Sequence, residues 1–152
     1  MFNKIFNIIK RLKIIIDKII SIACIFIIST MTLLVSYQVI ARYIFNNPSA
    51  ISEVLSRYFF IWLVLFGSAY VFGLREHMLI SFIKDKFPPK TKIISDMLSE
   101  LAVAVFALAI MILGGYSASV RQMWQLDSAL QIPIGVIYSV IPISGGLILF
   151  YS

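Results

Sequence analysis

Residues 19–41, IISIACIFIISTMTLLVSYQVIA, run without one charged side chain, and their reading decides the fold. Lipid offers the backbone no hydrogen-bond partners, so a crossing segment must bond its own amides. A helix of about 20 apolar residues does this across a hydrocarbon core of about 30 Å. Three further stretches read the same way, at 55–74, 98–120 and 132–151, with Ile51 to Leu55 available to lengthen the second. The expected fold is all-α: an integral membrane protein of four transmembrane helices, with residues 1–152 forming a single membrane domain.

Composition agrees. Of 152 residues, 61% are hydrophobic and 13% charged, whereas soluble domains carry about a quarter charged residues. The mean hydropathy is +0.98. The net charge of +6 does not indicate nucleic acid, because no stretch could form a basic, water-facing domain. Cys24 is the one cysteine. A lone thiol makes neither an internal disulfide nor a metal site, and it reads as a small hydrophobe.

The basic residues set the expected orientation. Lys4, Lys10, Arg11, Lys13 and Lys18 precede the first span, and Arg75, Lys84, Lys86, Lys90 and Lys92 lie between the second and third. Only Arg42, Arg57 and Arg121 fall in the other two loops. Basic loops stay on the cytoplasmic side, so both termini are expected inside. The poorer loops then face the periplasm if the host has an outer membrane. Asp17 and Lys18 break the early apolar run, and no small-residue cleavage site follows it, so the first span is expected to be retained.

The edges carry detail. Phe2, Ile5, Phe6, Ile9, Leu12 and Ile16 recur at three- and four-residue spacing, with Asn3, Lys4, Asn7, Lys10 and Arg11 between them. Residues 2–16 therefore read as an amphipathic helix. Either it lies in the headgroup layer with Lys4, Lys10, Arg11 and Lys13 on anionic lipid, or it continues the first span into the cytoplasm. Asn46-Asn47-Pro48 marks a turn after the first span. Pro88-Pro89 stops a helix, and a new one is expected near Thr91. Pro133 falls in the first turn of the fourth span, while Pro142 lies within it and predicts a kink. Gly114-Gly115 and Gly145-Gly146 read as helix-packing positions.

No span has a charge near its centre. Ion-coupled carriers place an acid or a broken helix at mid-membrane, so this chain is not expected to carry solute alone. His77 is the single histidine. It has no mate for a haem, and no nucleophile–base set or phosphate loop accompanies it. No catalytic residue, metal or cofactor is expected. Ser29, Ser36, Ser68, Ser117 and Ser119 read as interhelical hydrogen-bonding groups. At the outer edge, Glu53 and Arg57 are four apart and can pair on one helical face. With Arg42 they would form a cluster, or each would reach water separately. Arg121 and Asp127 mark the outer end of the third span.

Three blocks resemble one known family. Val39-Ile40-Ala41-Arg42-Tyr43-Ile44-Phe45-Asn46-Asn47-Pro48, followed by Ser52-Glu53 and Arg57, is similar to the first hairpin of the small permease subunit of TRAP transporters, the DctQ-like family. Phe66-Gly67-Ser68-Ala69-Tyr70 with Arg75-Glu76-His77 resembles its second motif. The stretch from Ser128 to Tyr138, running on through Ile141-Pro142-Ile143-Ser144-Gly145, resembles its third. Ile51 and Ser52 depart from the family's usual Trp and first Glu. The resemblance implies a multi-pass protein of the inner membrane that is not an enzyme. It implies two protein partners, a large permease subunit bearing the substrate and sodium sites and a periplasmic substrate-binding protein, besides membrane lipids and without nucleic acid. The cargo would be an organic acid of the C4-dicarboxylate or sialic acid type. Arg42, Glu53, Arg57, Arg121 and Asp127 would shape the dock for the binding protein. The competing reading is a small autonomous four-span transporter or channel, a class that usually needs an embedded Glu in span one; none is present.

Overall fold

The computed structural model describes residues 2–74, 86 and 88–152, with Phe2 described by its backbone alone. Arg75, Glu76, His77, Lys84, Asp85 and Phe87 lie outside the described residues. The chain groups into two units, Met1–Tyr70 and Val71–Ser152. Among the described residues four helices are long and apolar enough to cross a membrane: Asn3–Tyr43, Ala50–Gly73, Pro89–Gln122 and Ile134–Tyr151.

In the first unit, α1 spans Phe2–Tyr43. No proline or glycine interrupts it, so nothing forces a sharp kink. The helix expected over 2–16 is therefore present and continuous with the first span. At 42 residues it is about 63 Å long, roughly twice the hydrocarbon core. It ends where expected. Asn46 takes a left-handed conformation, φ 51°, which asparagine tolerates better than most residues. The Asn47 amide donates to the Ala41 carbonyl at 3.0 Å, and Pro48 prevents continuation. α2, Ala50–Gly73, starts far enough back to include Ile51 to Leu55. Ser49 organises its first turn, its carbonyl accepting from the Glu53 amide at 3.3 Å and from the Ser52 hydroxyl at 3.0 Å. Glu53 sits in that turn, where the helix dipole favours an anion. The Gln38 amide of α1 donates to Ser56 Oγ of α2 at 3.3 Å.

In the second unit, α3 runs from Pro89 to Phe106 with Pro88 as its cap. It begins two residues before Thr91, because proline at the first helical position sacrifices no needed amide. A π-helical segment, Ala107–Gly114, continues it, followed by α4, Gly115–Gln122. The Gly115 amide reaches the Ile110 carbonyl, five residues back. Ala107, Met111, Gly115 and Ser119 are all buried, at four-residue spacing. On a plain α-helix each such step overshoots a full turn by about 40°. A π turn holds roughly 4.4 residues and drifts the other way. Joining the two forms keeps the four residues on one face.

That face packs against the last span antiparallel. A Cβ built on Gly145 would lie 2.6 Å from Met111 Cβ and 3.3 Å from the Ala107 carbonyl oxygen. One built on Gly115 would lie 2.8 Å from Ile141 Cγ2 and 3.0 Å from Pro142 Cδ. One glycine of each pair thus allows close approach, and its neighbour, Gly114 or Gly146, is exposed. The last span consists of α5, Ile134–Tyr138, and α6, Val140–Tyr151. Pro133 is the cap residue rather than part of the first turn. The expected break appears at Ser139, three residues before Pro142, whose ring removes the amide that would bond the Tyr138 carbonyl.

The hydroxyls correct one expectation. Ser29, Ser36, Ser68 and Ser119 donate to carbonyls four residues back in their own helices, at 2.7–2.8 Å, not to neighbouring helices. In lipid the nearest unsaturated acceptor is the helix's own carbonyl. Among the described residues, no buried side-chain polar atom lacks a partner.

Candidate partner-docking site

The candidate residues fall in both units, and each set is described by itself. In the first, Arg42 occupies the last turn of α1 and is exposed. Arg57 Nη2 lies 3.5 Å from Glu53 Oε1 across one turn of α2, with side chains 65% and 70% exposed. Such an exposed pair contributes about 0.3–0.5 kcal/mol. Among the described residues the structure joins Glu53 to Arg57 and gives Arg42 no ion pair. The expected three-residue cluster is thus a neutral pair beside an uncompensated arginine. Its support comes from below: Ser52 is buried, and Ser56 donates to the Ser52 carbonyl at 2.8 Å while accepting from Gln38. Sequence reading passed over Gln38, although an amide near the end of an apolar span needs a partner.

In the second unit, Arg121 lies in the last turn of α4 and is exposed. Residues 125–134 then close into a short hairpin. The Ile134 amide donates to the Gln125 carbonyl at 2.9 Å and the Asp127 amide to the Ile132 carbonyl at 2.9 Å, around an antiparallel bridge between Leu126 and Pro133. Gln131 adopts φ 56° to turn the chain. Asp127 Oδ1 accepts from the Ala129 amide at 2.9 Å and the Leu130 amide at 3.1 Å. The carboxylate thus caps its own loop, a role asparagine and aspartate often take in turns. Asp127 holds the hairpin; just before it, Arg121 is exposed and Trp124 is 91% exposed.

This arrangement makes a definite prediction. Asp127→Ala removes an ionised acceptor from two amides and should cost the loop about 1–3 kcal/mol. Protease cleavage within 123–133 of the membrane-inserted protein should rise about tenfold or more. Asp127→Asn keeps an acceptor oxygen and should stay near wild type. Equal cleavage of all three proteins would show that the cap is dispensable.

At the other end of α1, Lys4, Lys10 and Arg11 are exposed. Lys13 differs: it is half-buried and engaged within the protein, as is Asp17.

Comparisons with known proteins bear on this geometry. The family described as "Tripartite ATP-independent periplasmic transporters, DctQ component" matches residues 31–152. A Haemophilus influenzae protein named provisionally as a TRAP transporter small permease is 33% identical over 90 residues, covering 59% of this chain and 56% of that protein. The sialic acid TRAP transporter small permease protein SiaQ of Vibrio cholerae is 31% identical over 117 residues, covering 77% of this chain and 68% of its own length.

Proposed function

From the premise that this chain belongs to the DctQ family, the small membrane component of tripartite ATP-independent periplasmic transporters, we propose that it is the fixed scaffold on which a large permease subunit works. As a family member it is a multi-pass protein of the inner membrane and a transporter subunit, not an enzyme. The proposed complex adds a large permease carrying the substrate and cation sites, and a periplasmic binding protein that delivers the solute. Both termini lie in the cytoplasm in this reading, which puts Arg42, Glu53, Arg57, Arg121 at the end of α4 and the following Trp124 on the periplasmic side. The solute is an organic acid, and sodium drives its uptake. The sialic acid named for the Vibrio cholerae relative supports a sugar acid over a C4-dicarboxylate.

One observation carries the scaffold role. The middles of the spans hold no charged side chain. A path for an organic anion or a sodium ion draws on charged or ion-coordinating groups inside the membrane. Those must then come from the partner. Vesicles containing this subunit alone should show no sodium-driven uptake, while vesicles with the large permease and binding protein should show it. Flux through the subunit alone would establish the autonomous-carrier reading instead.

The docking role has a separate test. Arg57→Glu places two acids one turn apart and leaves Arg42 alone on the hairpin end. Uptake should fall about tenfold through weaker capture of the binding protein, with membrane insertion unchanged. Transport at the wild-type rate would remove Arg57 from the dock.

A further inference from the structure

The buried line of the third span, Ala107, Met111, Gly115 and Ser119, has a counterpart on the far side of the same helix. Ala109, Leu113, Ser117 and Arg121 each follow a buried residue by two positions, about half a turn. They therefore keep one alignment through the π segment, as the buried four do, and all are exposed. Val105 and Leu101 carry the four-residue spacing back into α3 and are exposed as well. Around the inner part of this line the surface is hollowed. Leu101, Ala102, Val105, Phe106, Ala109 and Ile110 border an open groove. It is deepest where Ala102 and Ala109, about two turns apart, present only a methyl group.

Length and charge name the occupant. From Leu101 to Arg121 the line measures about 30 Å, the whole hydrocarbon core, whereas a single lipid occupies one leaflet. Helices associate in lipid by close packing and by polar bonds; the groove offers the first and Arg121 the second. Arg121 closes the line at the end of α4. Among the described residues it makes no ion pair. The next carboxylate along the chain, Asp127, is committed to the Ala129 and Leu130 amides. A guanidinium at the membrane edge is best met by a carboxylate, which it can hold through two hydrogen bonds. We propose that this line seats one transmembrane helix of the large permease, apolar along the groove and bearing an acid at the end that meets Arg121. The proposal rests on the scaffold reading above, and it assigns Arg121 to the permease rather than to the binding protein.

The full chain co-expressed with a large permease tests this. Tagged wild type should retain the permease through purification. Ala102→Leu with Ala109→Leu fills the groove and should cut the retained permease about tenfold. The unfolding midpoint of the isolated subunit should stay at the wild-type value, since the groove lies off the face packed on the last span. Arg121→Glu should also cut retention about tenfold, whereas Arg121→Lys should keep most of it. Leu108→Trp, also exposed but on another side of the helix, should leave retention in place. Benzoylphenylalanine at position 105 should form its photo-adduct with the permease. Four outcomes would overturn the proposal: full retention in the groove variant, a lowered midpoint of that variant in isolation, an equal loss in Leu108→Trp, or an adduct only with lipid, with a second copy or within the chain. Failure of the wild type to retain any permease would overturn the scaffold reading itself, and this proposal with it.

Discussion

Gly145→Leu is expected to destabilise the isolated subunit by about 2–3 kcal/mol, while Gly146→Leu, one position on, leaves it as stable as wild type or slightly more so. The Cβ alone would enter 2.6 Å from Met111 Cβ and 3.2 Å from Ile112 Cγ1, and at 3.3 Å it meets the Ala107 carbonyl, which is backbone. Met111 is buried and sits in the π segment, so it has little room to withdraw. Overpacking of this kind typically costs about 1–3 kcal/mol before larger rearrangement begins. At Gly146 a Cβ meets nothing within 4 Å, and leucine favours a helix over glycine by up to roughly 1 kcal/mol. Detergent-induced unfolding followed by tryptophan fluorescence would measure the pair. Equal midpoints would mean that the last span does not pack on the π segment as described.

Gly135→Val is expected to be still more damaging, at about 3 kcal/mol or more, and to abolish uptake. The added carbon would collide with the Ser119 carbonyl oxygen and would lie 2.8 Å from the Met123 amide nitrogen. These are backbone atoms at the end of α4, and no rotamer change relieves them. The start of α5 would have to separate from the end of α4, displacing the 125–134 hairpin that joins them. The distinctive readout is a split between assembly and transport. The variant should still co-purify with a large permease through its outward-facing surfaces, yet fail in uptake with the binding protein present. Wild-type uptake would separate the geometry of this hairpin from function.

Much of the fold was legible because lipid imposes a strict demand on length and polarity. Each of the four apolar stretches overlaps a helix long and apolar enough to cross a membrane, and the turn at Asn46 to Pro48 follows from two residue types with narrow backbone preferences. What stayed hidden depends on neighbours. Composition registers Gly145 and Gly146 alike, yet only one faces Met111. The π segment has no signature of its own; the four-residue recurrence of Ala107, Met111, Gly115 and Ser119 was its available sign, and it was not drawn from the sequence. The serines misled because a hydroxyl in a helix has two possible partners, and the nearer one won. At the candidate dock, the spacing of Glu53 and Arg57 foretold their pairing, but nothing local showed that Arg42 would stand apart. Asp127 turned out to serve its own loop, a reading open to anyone who noticed an acid two and three residues before unbonded amides.

The inward satisfaction of the hydroxyls also bears on how the subunit is made. In α1, Ser29, Thr30, Thr32 and Ser36 each bond a carbonyl four residues back at 2.8–2.9 Å. Those four hydroxyls ask nothing of a neighbouring helix, whereas the Gln38 amide near the end of α1 finds its acceptor on Ser56 of α2. The hydroxyls of α1 thus leave its entry into the bilayer independent of α2, and the later arrival of α2 supplies the one acceptor described for Gln38.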